Sequence, residues 1–320
     1  VAFPDQTITL EIDLEAPHNT KSKSWTGTNM TEGNEVGRRP ILQAMFAVGA
    51  ASLASAQAPA AAPNPPTALD LTNKDVQSLI FRKLGYAMDD RLGFWHLQGT
   101  RYGLVGAELT PFWEMHIGSF FKVRDLPGGS YEVTRMGVSF YTDLETGEYI
   151  KKFENPFAKK TIDIEYGRPA PRKFAPPKPI KASYNVMGGK EAEVAPGVSS
   201  IGALGPAWIQ GDQVWIQQDN LLVAPPGPGE RSRVNDLTTY FGPLHEVADP
   251  SVKMPAAGHA FTDINDWPAW LQMGDLPGEY YSRGLGYKAS SFDEMPETWR
   301  KLMLREYPEI ARDPAKALLG

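Results

Sequence analysis

The chain has 320 residues, 42% of them hydrophobic, 11% aromatic and 22% charged, proportions that allow a sizeable globular core. It contains no cysteine, which excludes disulfides, iron–sulfur clusters, thiolate zinc sites and a cysteine nucleophile. A formal net charge of -6 gives no long-range attraction to nucleic acid or anionic lipid, so neither is expected as a partner.

In chain order, the first signal is a leader. Arg38-Arg39 precede an apolar, small-residue run, 40–51, which exits through Ser52-Leu53-Ala54-Ser55-Ala56 with Ala54 and Ala56 spaced as in an A-x-A cleavage site. The three-part pattern resembles a twin-arginine signal peptide. The competing reading is a buried, alanine-rich helix. The run is too short and too rich in Ala and Gly for a membrane helix, so no stable span is expected. The expected organisation is thus a polar lead and signal over 1–56, a Pro/Ala spacer over 57–72 and one β-rich domain over 73–320. The expected location is the periplasm, with the twin-arginine export machinery as a partner.

Beyond the spacer, Val76, Leu79, Ile80 and Leu84 recur at helical spacing and predict a helix within 73–88, with Thr72 or Asn73 as N-cap. The period then shifts. Strands are predicted over 94–105, 112–124 and 130–142, with a turn at 125–129, then over 148–154 and 159–166, broken by Asn155-Pro156. Short turns between successive strands describe an antiparallel meander. The basic, Pro-rich stretch 168–181 reads as an extended crossing without elements. Further strands are predicted over 207–210, 213–224 and 237–241, a loop at 225–229, and a closing helix over 295–307. Gly284-Leu285-Gly286 reads as a turn.

The segment Phe140-Tyr141-Thr142-Asp143-Leu144-Glu145-Thr146-Gly147-Glu148, followed by Phe153-Glu154-Asn155-Pro156, resembles the central motif of a bacterial family known as domain of unknown function 1838. The segment 266–278, beginning Asp266-Trp267-Pro268-Ala269-Trp270, resembles that family's C-terminal motif, with Gly286-Tyr287-Lys288 and Met295-Pro296 following in order. The resemblance runs from about Asn73 to Pro314. It implies an exported protein and bears on fold; it implies no particular activity.

No G-x-S-x-G, H-E-x-x-H, P-loop or dinucleotide-binding glycine motif occurs. His96, His116, His245 and His259 are too dispersed to pair as metal ligands along one element, so no metal and no cofactor are expected. Alternation in 112–121 places Phe112, Glu114, His116, Gly118 and Phe120 on one strand face and Trp113, Met115, Ile117, Ser119 and Phe121 on the other. If the first face lines a cavity, Glu114 and His116 form an acid–base pair; otherwise they satisfy each other on a solvent side. Arg135, Ser139 and Tyr141 share a face of the next strand, where Arg beside Tyr suits a carboxylate or phenolate or a structural carboxylate partner. Trp267 and Trp270 form either a ligand wall or a barrel cap. Asp263 and Asp266 read as helix or turn caps, and Asp143, Thr146 and Gly147 as shaping a hairpin.

The fold expected is mainly β: an antiparallel barrel or strongly curved sheet of lipocalin-like proportions with flanking helices. The function expected is binding of a small apolar or aromatic molecule in the barrel, with acid–base turnover of hydratase, isomerase or lyase type as its catalytic form. His116, Glu114 and Tyr141 are the catalytic candidates; Arg135, Trp267, Trp270 and His96 are the ligand-binding ones. The alternatives are a carrier without turnover and a structural cell-envelope factor.

Overall fold

The computed structural model describes residues 69–175, 178–179, 192–195, 198–223 and 233–319, all within the unit Pro63–Gly320. The leader read in 1–56, most of the spacer and the 225–229 loop lie outside the described residues.

Helix α1 (Lys74–Gly85) begins where the Asn73 side chain accepts a hydrogen bond from the Asp75 amide at 2.8 Å, relieving one unpaired donor of the first turn. Its apolar face, Ile80, Phe81 and Leu84, is fully buried; each such side chain contributes about 1.5–3 kcal/mol of burial energy. The helix end is pinned by two neighbours from paired strands. The Trp95 indole donates to the Gly85 carbonyl at 2.7 Å and the Lys288 ammonium to the Tyr86 carbonyl at 3.0 Å, so exposed carbonyls at the negative helix end receive donors.

Strands β1 (Gly93–Val105), β2 (Glu108–Asp125) and β3 (Tyr131–Thr142) follow as a meander. A separate hairpin, β4 (Lys152–Asn155) with β5 (Lys160–Asp163), comes next. The short β6 (Arg172–Phe174), β7 (Lys178–Pro179) and β8 (Ala192–Ala195) precede the long β9 (Val198–Gln210), β10 (Gln213–Val223), β11 (Arg233–Pro243), β12 (Gly258–Asn265) and β13 (Glu279–Ala289). The main sheet has the order β6-β3-β2-β1-β13-β12-β11-β10-β9-β7, with β8 also on β9. Only the β7–β9 pair is parallel among the pairings described.

One buried cluster joins Phe121 and Val133 of β2 and β3 to Leu204, Ile216 and Tyr240 of β9, β10 and β11, with α1 among them. Strands that far apart in the sheet share a core only if the sheet curls, which right-handed strand twist favours. The protein is therefore mainly β, a curled antiparallel half-barrel with a few flanking helices, in keeping with the lipocalin-like expectation.

The stretch predicted as an extended crossing without elements holds two of them. β6 pairs with β3 and β7 with β9, and only residues 175–177 lie between. β6 thus covers β3 at Val133–Arg135 and β7 covers β9 at Ala203 and Leu204, which shields those parts of the two long strands from foreign strands.

On the opposite, convex face, β1, β2, β3 and β13 are covered by α3 (Glu297–Glu306), α4 (Pro308–Arg312) and α5 (Pro314–Ala317); the remaining α2 (Leu244–Ala248) follows β11. The Trp299 ring lies on Gly118, where a Cβ would overlap the indole, and its Nε1 donates to the Val138 carbonyl at 3.2 Å.

Three expectations need correction. Gly284-Leu285-Gly286 is the interior of β13, not a turn: Gly99 and Gly284 face each other across β1 and β13 so closely that a Cβ on either would meet backbone. The 148–154 strand is cut back to Lys152–Asn155, with Tyr149 making only an isolated bridge to Thr142. β12 was not anticipated, because its inward and outward residues are equally mixed in polarity. No helix among the described residues is long and apolar enough to cross a membrane.

Candidate functional site

The register identifies which side chains face into the curl. Trp95, Leu97, Gly99 and Arg101 of β1 align with Ser119, Ile117, Met115 and Trp113 of β2, and these with Gly137, Ser139 and Tyr141 of β3. On the other wall, Ser282 aligns with Asp263 and Asp236, and Gly286 with His259 and Tyr240. The α1 end of this concave face is packed by the core around Phe81 and Trp95. Its other end is packed by Trp113, Tyr280 and Leu271 with Trp267 and Trp270 against them. Between the two ends the surface opens. Ile117, Ser139, Arg135, Gln218, Asp236 and Phe261 are half-buried, and Gly137 is exposed.

The charged side chains of the concave face include Arg101, Asp263, Asp236 and Arg135, with Arg172 opposite Arg135 and Lys288 opposite Trp95 in register. Arg101 Nη1 donates to Asp263 at 2.7 Å, with both side chains buried, and Asp263 also accepts from the Ser282 hydroxyl. The Arg101 guanidinium stands 4.2 Å from the Tyr280 ring centroid. Such a pair tolerates burial because each charge has its counter-charge and further partners. Asp263 is thus a buried ion-pair partner in β12, which corrects its reading as a cap. Asp236 lies directly opposite Asp263 in register. Burial first, and then the Asp263 charge, push the Asp236 carboxyl up to about 6, against the opposing pull of an Asn220 hydrogen bond and of Arg135 and Arg101.

Arg135 enters from β3. Its Nε donates to Ser119 Oγ at 3.0 Å, and among the described residues no carboxylate stands within ion-pair distance of it. Its charge nevertheless reaches the far wall, pulling down the Tyr240 and Asp236 values and disfavouring a proton on His259. His259 is enclosed by Trp95, with ring centroids 4.6 Å apart, and by Tyr240 at 5.9 Å. Burial, then Arg135 and His96, hold it down to about 3, so it is a neutral imidazole at ordinary pH. The Tyr240 phenol donates to Gln218 Oε1 at 3.2 Å.

The residues singled out from sequence are divided between the two faces. Glu114 and His116 are together, as alternation predicts, with Glu114 Oε2 3.3 Å from His116 Nε2. Thr142 Oγ1 stands 3.2 Å from the same nitrogen and Gln98 donates to Glu114 Oε1 at 2.5 Å. The hydrogen bond to His116 leads the effects that hold the Glu114 carboxyl below its ordinary value. This group aligns with Thr100, Gln98 and Phe140 on the convex face. Tyr141 lies on the concave face instead, stacked obliquely between Trp113 at 5.2 Å and Tyr166 at 5.2 Å. The structure therefore does not bring the three catalytic candidates to one surface. His96 is also convex and buried, 5.6 Å from the Tyr287 ring, and burial holds it down to about 4.

Of the ligand-binding candidates, Arg135 lines the open concavity. Trp270 packs on Trp113 at 6.0 Å, and Trp267 binds the Leu276 carbonyl through Nε1 at 3.0 Å; both belong to the closed end. Phe112 joins that end too. β2 carries a bulge there, Arg101 pairing with Trp113 and Tyr102 with Pro111, so the extra residue Phe112 leaves the Glu114 face and packs on Trp113 at 5.4 Å.

Arg101, Asp236 and Tyr240 were not singled out. Period-two reading of 234–240 puts Val234, Asp236, Thr238 and Tyr240 on one face, a signal that needed only the full length of β11 to be assumed. Among the described residues, no group of three or more His, Asp or Glu side chains is placed to hold a metal ion.

No family model matches the chain, and no curated protein matches it. Among solved structures, the crystal structure of Rv2717c from M. tuberculosis aligns with 60% of this chain and 89% of that one, at 11% identity and a TM-score of 0.25. A likeness of that degree bears on neither ligand nor chemistry.

Proposed function

We propose that the protein binds a small apolar or aromatic molecule in the concavity of its curled sheet. The supporting observation is the exposure pattern of one face: packed at both ends, half-open between them around Ile117, Gly137 and Phe261. Curled sheets of this kind receive ligands between end-plugs of packed side chains. Gly137 offers a clean test, because a Cβ there meets nothing nearer than Ser119 Cβ at 4.0 Å. Gly137→Trp adds its ring on the concave face from a Cβ position that is free of clashes. Fluorescence titration with the neutral dye N-phenyl-1-naphthylamine is expected to show binding to the wild type and at least about tenfold weaker binding to the variant, with Tm unchanged. Equal binding by both proteins, or none by the wild type, defeats the reading.

A catalytic form is favoured by Asp236, whose carboxyl burial pushes up to about 6, toward the range where a general acid or base works best at neutral pH. In that form Asp236→Asn abolishes turnover and keeps dye binding. The convex Glu114–His116 pair is a separate acid–base proposal, tested by His116→Ala in the same assays. Export through the twin-arginine machinery to the periplasm rests on Arg38-Arg39 and the run behind them. An intact mass of periplasmic protein beginning near Gln57 is the expected outcome.

A further inference from the structure

Arg135 is unlike Arg101, the buried arginine of the same face. Arg101 has Asp263 at 2.7 Å; Arg135 is half-buried on the open part of the same face with one hydrogen bond, through Nε to Ser119. Its two terminal NH2 groups, four donors in a planar fork, have no protein partner among the described residues. A guanidinium taken partly out of water without a counter-charge is costly, and a planar anion meeting it with two parallel hydrogen bonds offsets that cost. Ser139 and Tyr141 lie on the same strand face, and Ile117 stands beside Ser139 across β2 and β3. Charge, hydroxyl and apolar surface therefore meet in one place.

We propose that the ligand of this concavity is a small aromatic or apolar organic anion, and that Arg135 is its receptor. The proposal rests on the binding reading above and names the chemical class that site takes. Asp236, a carboxylate of the same face whose charge interacts with that of Arg135, opposes such a ligand. The groups around Asp236 are Asp263 from β12, Asn220 from β10, Arg135 from β3 and Arg101 from β1. Arg101 and Asp263 cancel, so the charge offered to an incoming anion is set by Arg135 and Arg172, which stands opposite it in register, against Asp236.

The test uses two dyes of similar shape. 1-Anilinonaphthalene-8-sulfonate carries a charge throughout the working pH range; N-phenyl-1-naphthylamine carries none at pH 7.5. Arg135→Gln is expected to weaken the sulfonate dye about tenfold or more while changing the neutral dye less than about threefold. Arg135→Lys should restore part of the loss, since a point charge replaces the fork. Asp236→Asn should tighten the sulfonate dye about three- to tenfold at pH 7.5. Equal losses for both dyes in Arg135→Gln, or no selective loss, overturn the anion assignment while leaving the cavity reading intact. If Arg135→Gln does not fold, the Asp236→Asn arm decides, and unchanged sulfonate affinity there overturns the proposal. Absence of binding by either dye defeats the cavity reading and the proposal together.

Discussion

Strands β2 and β3 present two faces built from alternate residues of the same sequence, and Gly118 on one face and Gly137 on the other play opposite parts. On the convex face, the space over Gly118 is filled by the Trp299 ring, and Glu114 and His116 are held against Thr142 and Gln98. On the concave face, Gly137 stays open and Arg135 has no counter-ion among the described residues. A missing side chain is thus a packing device at Gly118 and an opening at Gly137. Which it is depends on whether another element covers the strand there. A glycine position filled by a neighbouring ring points to structure; an open one beside an unmatched charge points to a ligand.

The largest effect expected is at the interior ion pair. Arg101→Ala strands a buried carboxylate at Asp263 and should cost about 3–5 kcal/mol in urea unfolding. Replacing both partners by apolar residues, Arg101→Met with Asp263→Leu, should recover most of that loss. If the single and double variants lose the same amount, the pair is not the reason.

Next comes the contrast between the glycines. Gly118→Val should cost about 2–3 kcal/mol because its methyls meet the Trp299 indole, whereas Gly137→Val should stay within about 0.5 kcal/mol of wild type. Equal losses at the two positions would erase the distinction between covered and open faces.

The smallest effect sharpens the electrostatic side. Asp236 holds its proton up to about 6, above the ordinary 3.8. The folded state therefore binds that proton more tightly than the unfolded chain. The group's contribution is most favourable at acid pH and is lost as pH rises from about 4 through 6. Asp236→Asn should accordingly gain roughly 1–2 kcal/mol at pH 7.5 and nothing at pH 4. A gain that persists at pH 4 would point to packing rather than charge.

Much of the framework was legible because local chemistry acts alone there. Asn73 caps its helix through its own side chain. Asp143 shapes its turn by accepting from the Glu145 and Thr146 amides at 3.0 and 2.8 Å. Asn155 ends β4, and its Oδ1 receives the Phe157 amide at 2.9 Å. β12 and β13 escaped for a physical reason. Their inward residues are His259, Phe261, Asp263 and Asn265, then Tyr280, Ser282, Gly284 and Gly286, in which one aromatic per strand among polar residues and glycines is too little apolar alternation to read. The same cause hid most of the interior charges, and the bulge at Phe112 moved one aromatic to the face opposite that expected.

By itself, the sequence determined the β-rich character, the exclusion of cysteine chemistry, and the sharing of one strand face by Arg135, Ser139 and Tyr141, because side chains alternate wherever a strand forms. Only the tertiary structure decided which face of the sheet is concave, that Arg101 meets Asp263 across 162 residues of chain, and that Arg135 meets no such partner among the described residues. Strand period is a property of the backbone, whereas curl depends on which distant strands pair and on which helix fills the inside.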